Sequence, residues 1–172
     1  DTAELHYLTD VEWKTIFFFI GLFILIGGLV KVGVIGLLAA QLVDWTRGNV
    51  PGATFAVLWG SAILSGIIDN IPYVAAMNPL IVDLARSLHP TITNYTDLVH
   101  QTDILPMWWA LALGACLGGN GTLIGASANL TVAGIAERNG VSFRFMTYTK
   151  HAFWMMLVSI AISHVYVVWR FL

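Results

Sequence analysis

A carboxylate and an amide lie side by side in the middle of an otherwise apolar stretch. Asp69 and Asn70 fall within the run Ser65-Gly66-Ile67-Ile68-Asp69-Asn70-Ile71-Pro72. An ionised carboxylate is costly at the centre of a bilayer, so acidic side chains there face a pathway, pair with cations or relay protons. Together with carbonyls freed by a break in the helix, Ser65, Asp69 and Asn70 are predicted to bind a hard cation such as Na⁺.

The same aspartate has a simpler interpretation as a helix cap. Asp or Asn ahead of a proline in the first turn is a common helix start. Asp69 would then cap a helix that begins at Pro72. The two roles can coexist, so both stay open.

A second apolar stretch is interrupted by the glycine-rich run Gly118-Gly119-Asn120-Gly121-Thr122. The N–H groups at the start of the helix that resumes there carry the positive end of its dipole, which suits an anion or an oxygen-rich solute. Ser127 and Asn129 follow within two turns and are expected to face the same cavity. Close helix packing through small residues is the alternative. Packing explains scattered glycines well, but it does not explain three glycines and an asparagine in four positions.

Composition places these breaks inside a membrane. Residues are 58% hydrophobic and 10% charged, whereas a soluble domain carries roughly a quarter charged residues. The stretches 13–30 and 152–169 are each long enough to cross ~30 Å of hydrocarbon as helices. Non-helical backbone survives at that depth only where it is buried in protein or lines a cavity. Two interrupted segments therefore indicate the binding site of a secondary transporter.

We predict an all-α integral membrane protein with one re-entrant hairpin and one broken helix. As a straight helix, residues 53–88 would be ~54 Å long and would overshoot the bilayer, and Pro72 disfavours helix at the residue before it. A hairpin with its tip at mid-membrane solves both problems, and a single tilted, kinked helix is the alternative. The predicted elements are a polar loop over 1–10, a membrane helix over 11–30, an interfacial helix over 34–46, the hairpin over 53–88, the broken helix over 105–138 and a final membrane helix over 151–170.

Several function classes are excluded by missing patterns. The sequence has no nucleotide-binding glycine fingerprint, no paired metal-ligand spacing and no nucleophile elbow, so we predict neither an enzyme nor a bound cofactor. The net charge of −2 without a basic run argues against nucleic acid as a partner. Because the first residue is Asp, the chain is interpreted as a fragment that lacks whatever precedes Asp1.

The order of these motifs resembles a known family of transporters. The chain resembles the ion transporter superfamily over nearly its whole length. More narrowly, it is similar to the citrate-transporter-like branch, which contains arsenite permeases, NhaD-type sodium/proton antiporters and the melanosomal P protein. The motifs that carry the resemblance are Glu12-Trp13 with Phe17 to Phe23, Leu64 to Pro72, and Gly118 to Asn129.

The resemblance implies half of an inverted-repeat transporter, here the C-terminal repeat. It assigns Ser65, Asp69 and Asn70 to a hairpin cation site, and Asn120, Thr122 and the flanking glycines to an unwound loop. It also implies an N-terminal repeat outside this chain and a scaffold that often dimerises. Dicarboxylate-transporting relatives carry a Ser-Asn-Thr tip, so Asp69-Asn70 puts dicarboxylate specificity in doubt.

Three functional hypotheses follow. The first is a secondary transporter of an anion or oxyanion in the inner cell membrane, coupled to Na⁺ or H⁺ by alternating access. The second is a sodium/proton antiporter that exchanges both cations at Asp69. The third is a membrane subunit that packs against partners and transports nothing, which explains neither break.

Overall fold

The computed structural model describes residues 13–142 and 144–172, and this part of the chain is helical without a strand. The loop predicted over 1–10, and Val11 and Glu12 of the first predicted helix, lie outside the described residues. The elements are α1 (Trp13–Lys31), α2 (Val34–Thr46), α3 (Val50–Ser65), α4 (Asn70–Leu88), α5 (Tyr95–Val99), α6 (Leu105–Gly118), a 3₁₀ turn (Gly119–Gly121), α7 (Ser127–Arg138) and α8 (Phe145–Phe171). The predicted all-α class is confirmed for these residues. The re-entrant hairpin and the inverted repeat stay predictions.

Helix α8 is the clearest membrane span among the described residues. It has 27 residues, which corresponds to about 40 Å at 1.5 Å per residue, and it is apolar enough to cross a bilayer. It begins at Phe145 rather than at His151, and the His151 ring bonds the Thr147 carbonyl one turn earlier, at 2.8 Å. The polar first turns therefore continue the helix instead of ending it.

Helices α1 and α2 form a second candidate span that is bent. Phe23–Lys31 and Gly36–Thr46 together pass the same criteria of length and composition, with 68° between them. The bend lies at Gly33, whose φ of 80° is in the left-handed region that glycine adopts at little cost. The placement of residues 34–46 along a membrane interface stays a prediction.

The core lies where α3 packs against α6. Leu58 and Ala62 of α3 and Leu111 and Ala115 of α6 are all at most 2% exposed. Helix α4 packs against α2 and α6, and α8 covers the other side of α6. Since α3 and α6 are the helices that precede the two breaks, their contact brings the breaks together.

An ion pair lies at the C-terminal end of α4. His89, which follows α4, lies 2.8 Å from the Asp103 carboxylate just before α6. The segment between them contains α5, which is capped by the Asn94 side chain at 2.9 Å from the Thr96 N–H. A short helix with this cap has too few residues to show periodicity in the sequence.

Candidate functional site

Two glycines of α6 allow the close approach of α3. A Cβ atom added at Gly114 would lie 2.8 Å from Cβ of Ser61, and one added at Gly118 would lie 2.5 Å from Cα of Ala62. Both distances are below van der Waals contact, so only glycine fits at these positions. The packing interpretation therefore describes Gly114 and Gly118 well, although Gly118 was also a predicted site residue.

Beyond these glycines, Asp69 joins the two breaks. One carboxylate oxygen, Oδ1, accepts from the N–H of Ile71 at 3.1 Å and caps α4. The other, Oδ2, accepts from the N–H of Ser127 at 2.7 Å, in the first turn of α7. One carboxylate thus accepts hydrogen bonds from the N-terminal turns of two helices, α4 and α7. The capping interpretation is thus confirmed, with the helix beginning at Asn70 rather than at Pro72, and the site role of Asp69 stays a prediction.

A second set of bonds links the two loops through Thr122. Its hydroxyl donates to the carbonyl of Gly66 in the first break and accepts from the N–H of Gly125 at 3.1 Å. Thr122 itself is extended, with φ −134° and ψ 161°. The glycine-rich loop is therefore fixed against the tip between α3 and α4.

Asn129 satisfies the carbonyl groups that the break leaves without helical partners. Its Nδ2 donates to the carbonyls of Gly119 and Thr122, each at 3.1 Å. Thr122 and Ala126 are extended, and residues 123–124 between them form a turn. Helix α7 therefore begins at Ser127 and not directly after the glycine-rich run, where the helix was expected to resume. The side chain of Asn129 thus donates hydrogen bonds that backbone N–H groups would donate in a continuous helix.

Ser65 faces α6 and not the aspartate. It is fully buried, and its Oγ donates to the carbonyl of Ala115 at 2.6 Å. Behind it the two loops are in contact, since a Cβ at Gly125 would lie 2.9 Å from the carbonyl oxygen of Ser65. Ser65 and the glycines therefore hold the breaks together, and the cation role predicted for Ser65 is not visible in this arrangement.

Contact with α8 indicates how deep the glycine-rich break lies in the membrane. A Cβ at Gly121 would lie 3.0 Å from Cε of Met156, and Met156 is close to the middle of Phe145–Phe171. If α8 spans the bilayer, a residue near its middle lies near the membrane centre. The glycine-rich turn is then at mid-membrane depth, where irregular backbone needs a structural reason.

Not every predicted site residue lies at the junction between the breaks. Ser65, Asp69, Gly119, Thr122, Ser127 and Asn129 meet there through the contacts above. Asn120 instead lines a cavity beside α8, and its carbonyl accepts from the Tyr148 hydroxyl at 3.3 Å. Asn70 and Pro72 lie in the first turn of α4 and are both partly exposed.

Charge at the junction comes from one group. Among the described residues that bond across the two breaks, Asp69 is the only one with an ionisable side chain. No group of three or more His, Cys, Asp or Glu residues in the described part of the chain could hold a metal ion. The junction therefore offers one carboxylate together with backbone carbonyls, which are the oxygen ligands that hard cations prefer.

Several partners in this arrangement had no sequence signal. The carbonyls of Ala115 and Gly66 belong to apolar runs, and Met156 and Tyr148 lie in the last helix. Tyr73 was also missed; its hydroxyl donates to Ser61 at 3.0 Å and joins α4 to α3. Backbone acceptors and packing partners cannot be read from residue type.

Removing the hydroxyl of Ser65 should destabilise the protein. Ser65→Ala leaves the Ala115 carbonyl without its buried side-chain partner, and we expect a loss of about 1 kcal/mol of unfolding free energy. The measurement is thermal unfolding of the full-length protein in detergent. Thr54→Val in the same helix is the control, since the buried Thr54 hydroxyl has no hydrogen-bond partner among the described residues. Equal stability losses in the two variants would contradict the assigned bond.

Comparison with known proteins identifies the family. Residues 4–114 match the model of the CitMHS citrate transporter family. The chain belongs to this family. The predicted resemblance to the citrate-transporter-like branch is thereby confirmed, and the family and several of its relatives are described as transporters rather than enzymes, as predicted.

Relatives extend the similarity past the glycine-rich break. An uncharacterized transporter of Mycobacterium tuberculosis is 45% identical over 166 residues, which cover 96% of this chain and 36% of that protein. The P protein of Sus scrofa is 43% identical over 95% of this chain and 19% of its own length. An uncharacterized transporter of Synechocystis is 34% identical over 98% of this chain and 38% of its own length.

These CitMHS-type relatives are longer than the chain. The chain spans about 36% of the length of the mycobacterial relatives that it matches. No solved structure gives a significant match to this chain. The family is thus shown by sequence, and the geometry described above comes from this chain's own structure.

Proposed function

We propose that this chain is one repeat of a secondary active transporter that carries an anion or oxyanion across the inner cell membrane, coupled to Na⁺ or H⁺ by alternating access. The observation that supports it most is the Asp69 carboxylate, bonded to the N-termini of both α4 and α7. Broken helices that meet at the membrane midplane are the usual site of substrate and coupling ion in secondary transporters.

The coupling cation is proposed to act on Asp69. A carboxylate accepts about four hydrogen bonds or cation contacts, and two are occupied by backbone N–H groups. Na⁺ would bind the remaining lone pairs, with Asn70 adjacent in sequence and backbone carbonyls of the break as further ligands; a proton would bind the same oxygens.

The order of binding follows from the same contacts. The Ser127 N–H that was expected to receive an anion is occupied by Asp69 Oδ2. An anion approaching the unneutralised site would also meet a like charge. A cation that neutralises Asp69 weakens the bond to Ser127 and removes the repulsion, so the anion binds after the cation. Obligatory coupling follows from this order.

The remaining part of the transporter is proposed to complete the site. The relatives' greater length leaves room for an N-terminal repeat with its own break, and a homodimer of such chains is the assembly that we propose. In that assembly the lipid bilayer surrounds α8, and no nucleic acid takes part.

Reconstitution of the full-length protein tests the proposal. In proteoliposomes, uptake of labelled anions (citrate and phosphate among them) should require an inward Na⁺ or H⁺ gradient and cease when the gradient is collapsed. Uptake that is unchanged without any gradient would contradict coupling.

A sodium/proton antiporter is the second candidate, because the one ionisable group at the junction is suited to cations. It predicts that an imposed Na⁺ gradient changes the internal pH of the vesicles when no anion is supplied. A trapped pH indicator distinguishes this outcome from anion symport. If neither signal exceeds that of empty liposomes, the chain belongs to a subunit that transports nothing.

A further inference from the structure

A cavity outside the Asp69 junction has no role in the proposed transport cycle. It has a volume of about 470 Å³ and lies between the first turns of α8, the end of α6 and the glycine-rich turn. Arg144 lies at one end, and the Tyr148 hydroxyl holds the carbonyl of Asn120 at the inner wall. Met156, which packs on Gly121, forms part of the floor.

The lining separates a charged end from an apolar floor. Among the described residues that line the cavity, Arg144 is the one with a permanent charge, and none is Asp or Glu. In the part of the chain that the structure describes, Arg144 forms no ion pair, since the ion pairs are Arg86–Asp83 and His89–Asp103. The apolar floor is formed by Leu117, Ala152, Met155 and Met156.

The dimensions suit a lipid. Along α8 the lining extends from Arg144 to Ser159, which is about 22 Å at 1.5 Å per residue. One leaflet of a bilayer, headgroup included, is of the order of 20–22 Å thick. The charged end of the cavity coincides with the end of the membrane helix, where lipid headgroups lie, and its floor reaches the middle of the helix.

We propose that this cavity binds one anionic phospholipid, with its phosphate at Arg144 and an acyl chain along Met155 and Met156 against the glycine-rich turn. Basic pockets at the ends of membrane helices are typical sites for anionic headgroups. The lipid would hold the unwound turn against α8 by filling space that protein side chains leave open. This proposal does not depend on the solute or the coupling ion.

Lipid retention by the full-length protein tests the proposal. After exchange into mixed phosphatidylglycerol and phosphatidylcholine, native mass spectrometry counts the lipids that remain bound. Arg144→Gln should reduce the retained phosphatidylglycerol by about fivefold, the factor that one basic residue near an anionic surface contributes. Lys150→Gln is the matched control, because Lys150 is an exposed basic residue in the same first turns but does not line the cavity. It should leave retention unchanged.

Further variants and competitors keep the test decisive. Arg144→Lys retains the charge and should retain the lipid, whereas Ala152→Phe fills the cavity and should release it. Equal effects of Arg144→Gln and Lys150→Gln would indicate general surface attraction and overturn the proposal. Displacement of the lipid by glycerol phosphate, which has no acyl chain, would point to a soluble anion instead. Absence of retained phosphatidylglycerol in the unmodified protein would mean that another part of the chain fills the cavity.

Discussion

Replacing Asp69 with asparagine should abolish cation-driven uptake. Asparagine keeps the shape of the side chain, but it carries no charge and has only one oxygen acceptor. Either the Ile71 N–H or the Ser127 N–H then faces an amide NH₂ group, so the link between α4 and α7 is broken on one side. Hydrogen bonds to charged groups contribute about 1.5–3 kcal/mol. We therefore expect the initial rate of gradient-driven uptake in proteoliposomes to fall by at least about tenfold.

Two further variants separate the cation role of Asp69 from its capping role. Asp97→Asn removes an exposed carboxylate from α5 and should leave uptake unchanged. Asp69→Ser supplies a good N-cap without a charge. If capping α4 were the whole role of Asp69, the serine variant would retain uptake. We expect it to retain more folded protein than Asp69→Ala but no coupling.

Replacing Gly118 with alanine should both destabilise the protein and impair transport. The added Cβ would lie 2.5 Å from Cα of Ala62, a backbone atom that cannot move without shifting α3. Overpacking of this kind costs about 1–3 kcal/mol. The shift also separates Ser65 from the Ala115 carbonyl and loosens the contact between the breaks. Unfolding of the full-length protein in detergent and uptake in proteoliposomes measure the two effects.

Gly134→Ala is the matched control, and its expected effect on stability has the opposite sign. Gly134 is also a helical glycine, in α7, but no atom of the described residues lies within 4 Å of an added Cβ there. Alanine in an open helical position is favoured over glycine by about 0.5–1 kcal/mol, so this variant should be slightly more stable. If Gly118→Ala were stabilised as Gly134→Ala is, helix propensity rather than close packing would govern position 118.

The sequence alone determined the class of protein and the location of its breaks. Apolar length is a local property, so the membrane class and the span in α8 could be predicted from composition. The runs around Asp69 and Gly119 were recognisable because proline, glycine and an acidic residue each oppose a straight apolar helix. The same motifs led to the transporter family that the comparisons show.

Element boundaries were predictable only where a local signal exists. The break after Ser65 has Gly66 and Asp69 to mark it, and helix ends there as expected. The helix was expected to resume earlier than α7 begins, because the non-helical segment after Gly121 is bonded through Thr122 to Asn129 and, across the fold, to Gly66. Such bonds are invisible in a window of neighbouring residues.

What only the tertiary structure decided is which residues face one another. Asp69 and Ser127 are distant in sequence, and they meet because Gly114 and Gly118 allow α3 to lie against α6. Asn120, next to Gly119, faces the cavity beside α8 instead. A glycine-rich loop has no periodicity to direct its side chains, so their directions follow from long-range packing. Residue types therefore indicate where the helices break, whereas the contacts between helices decide which residues of the two breaks lie against each other.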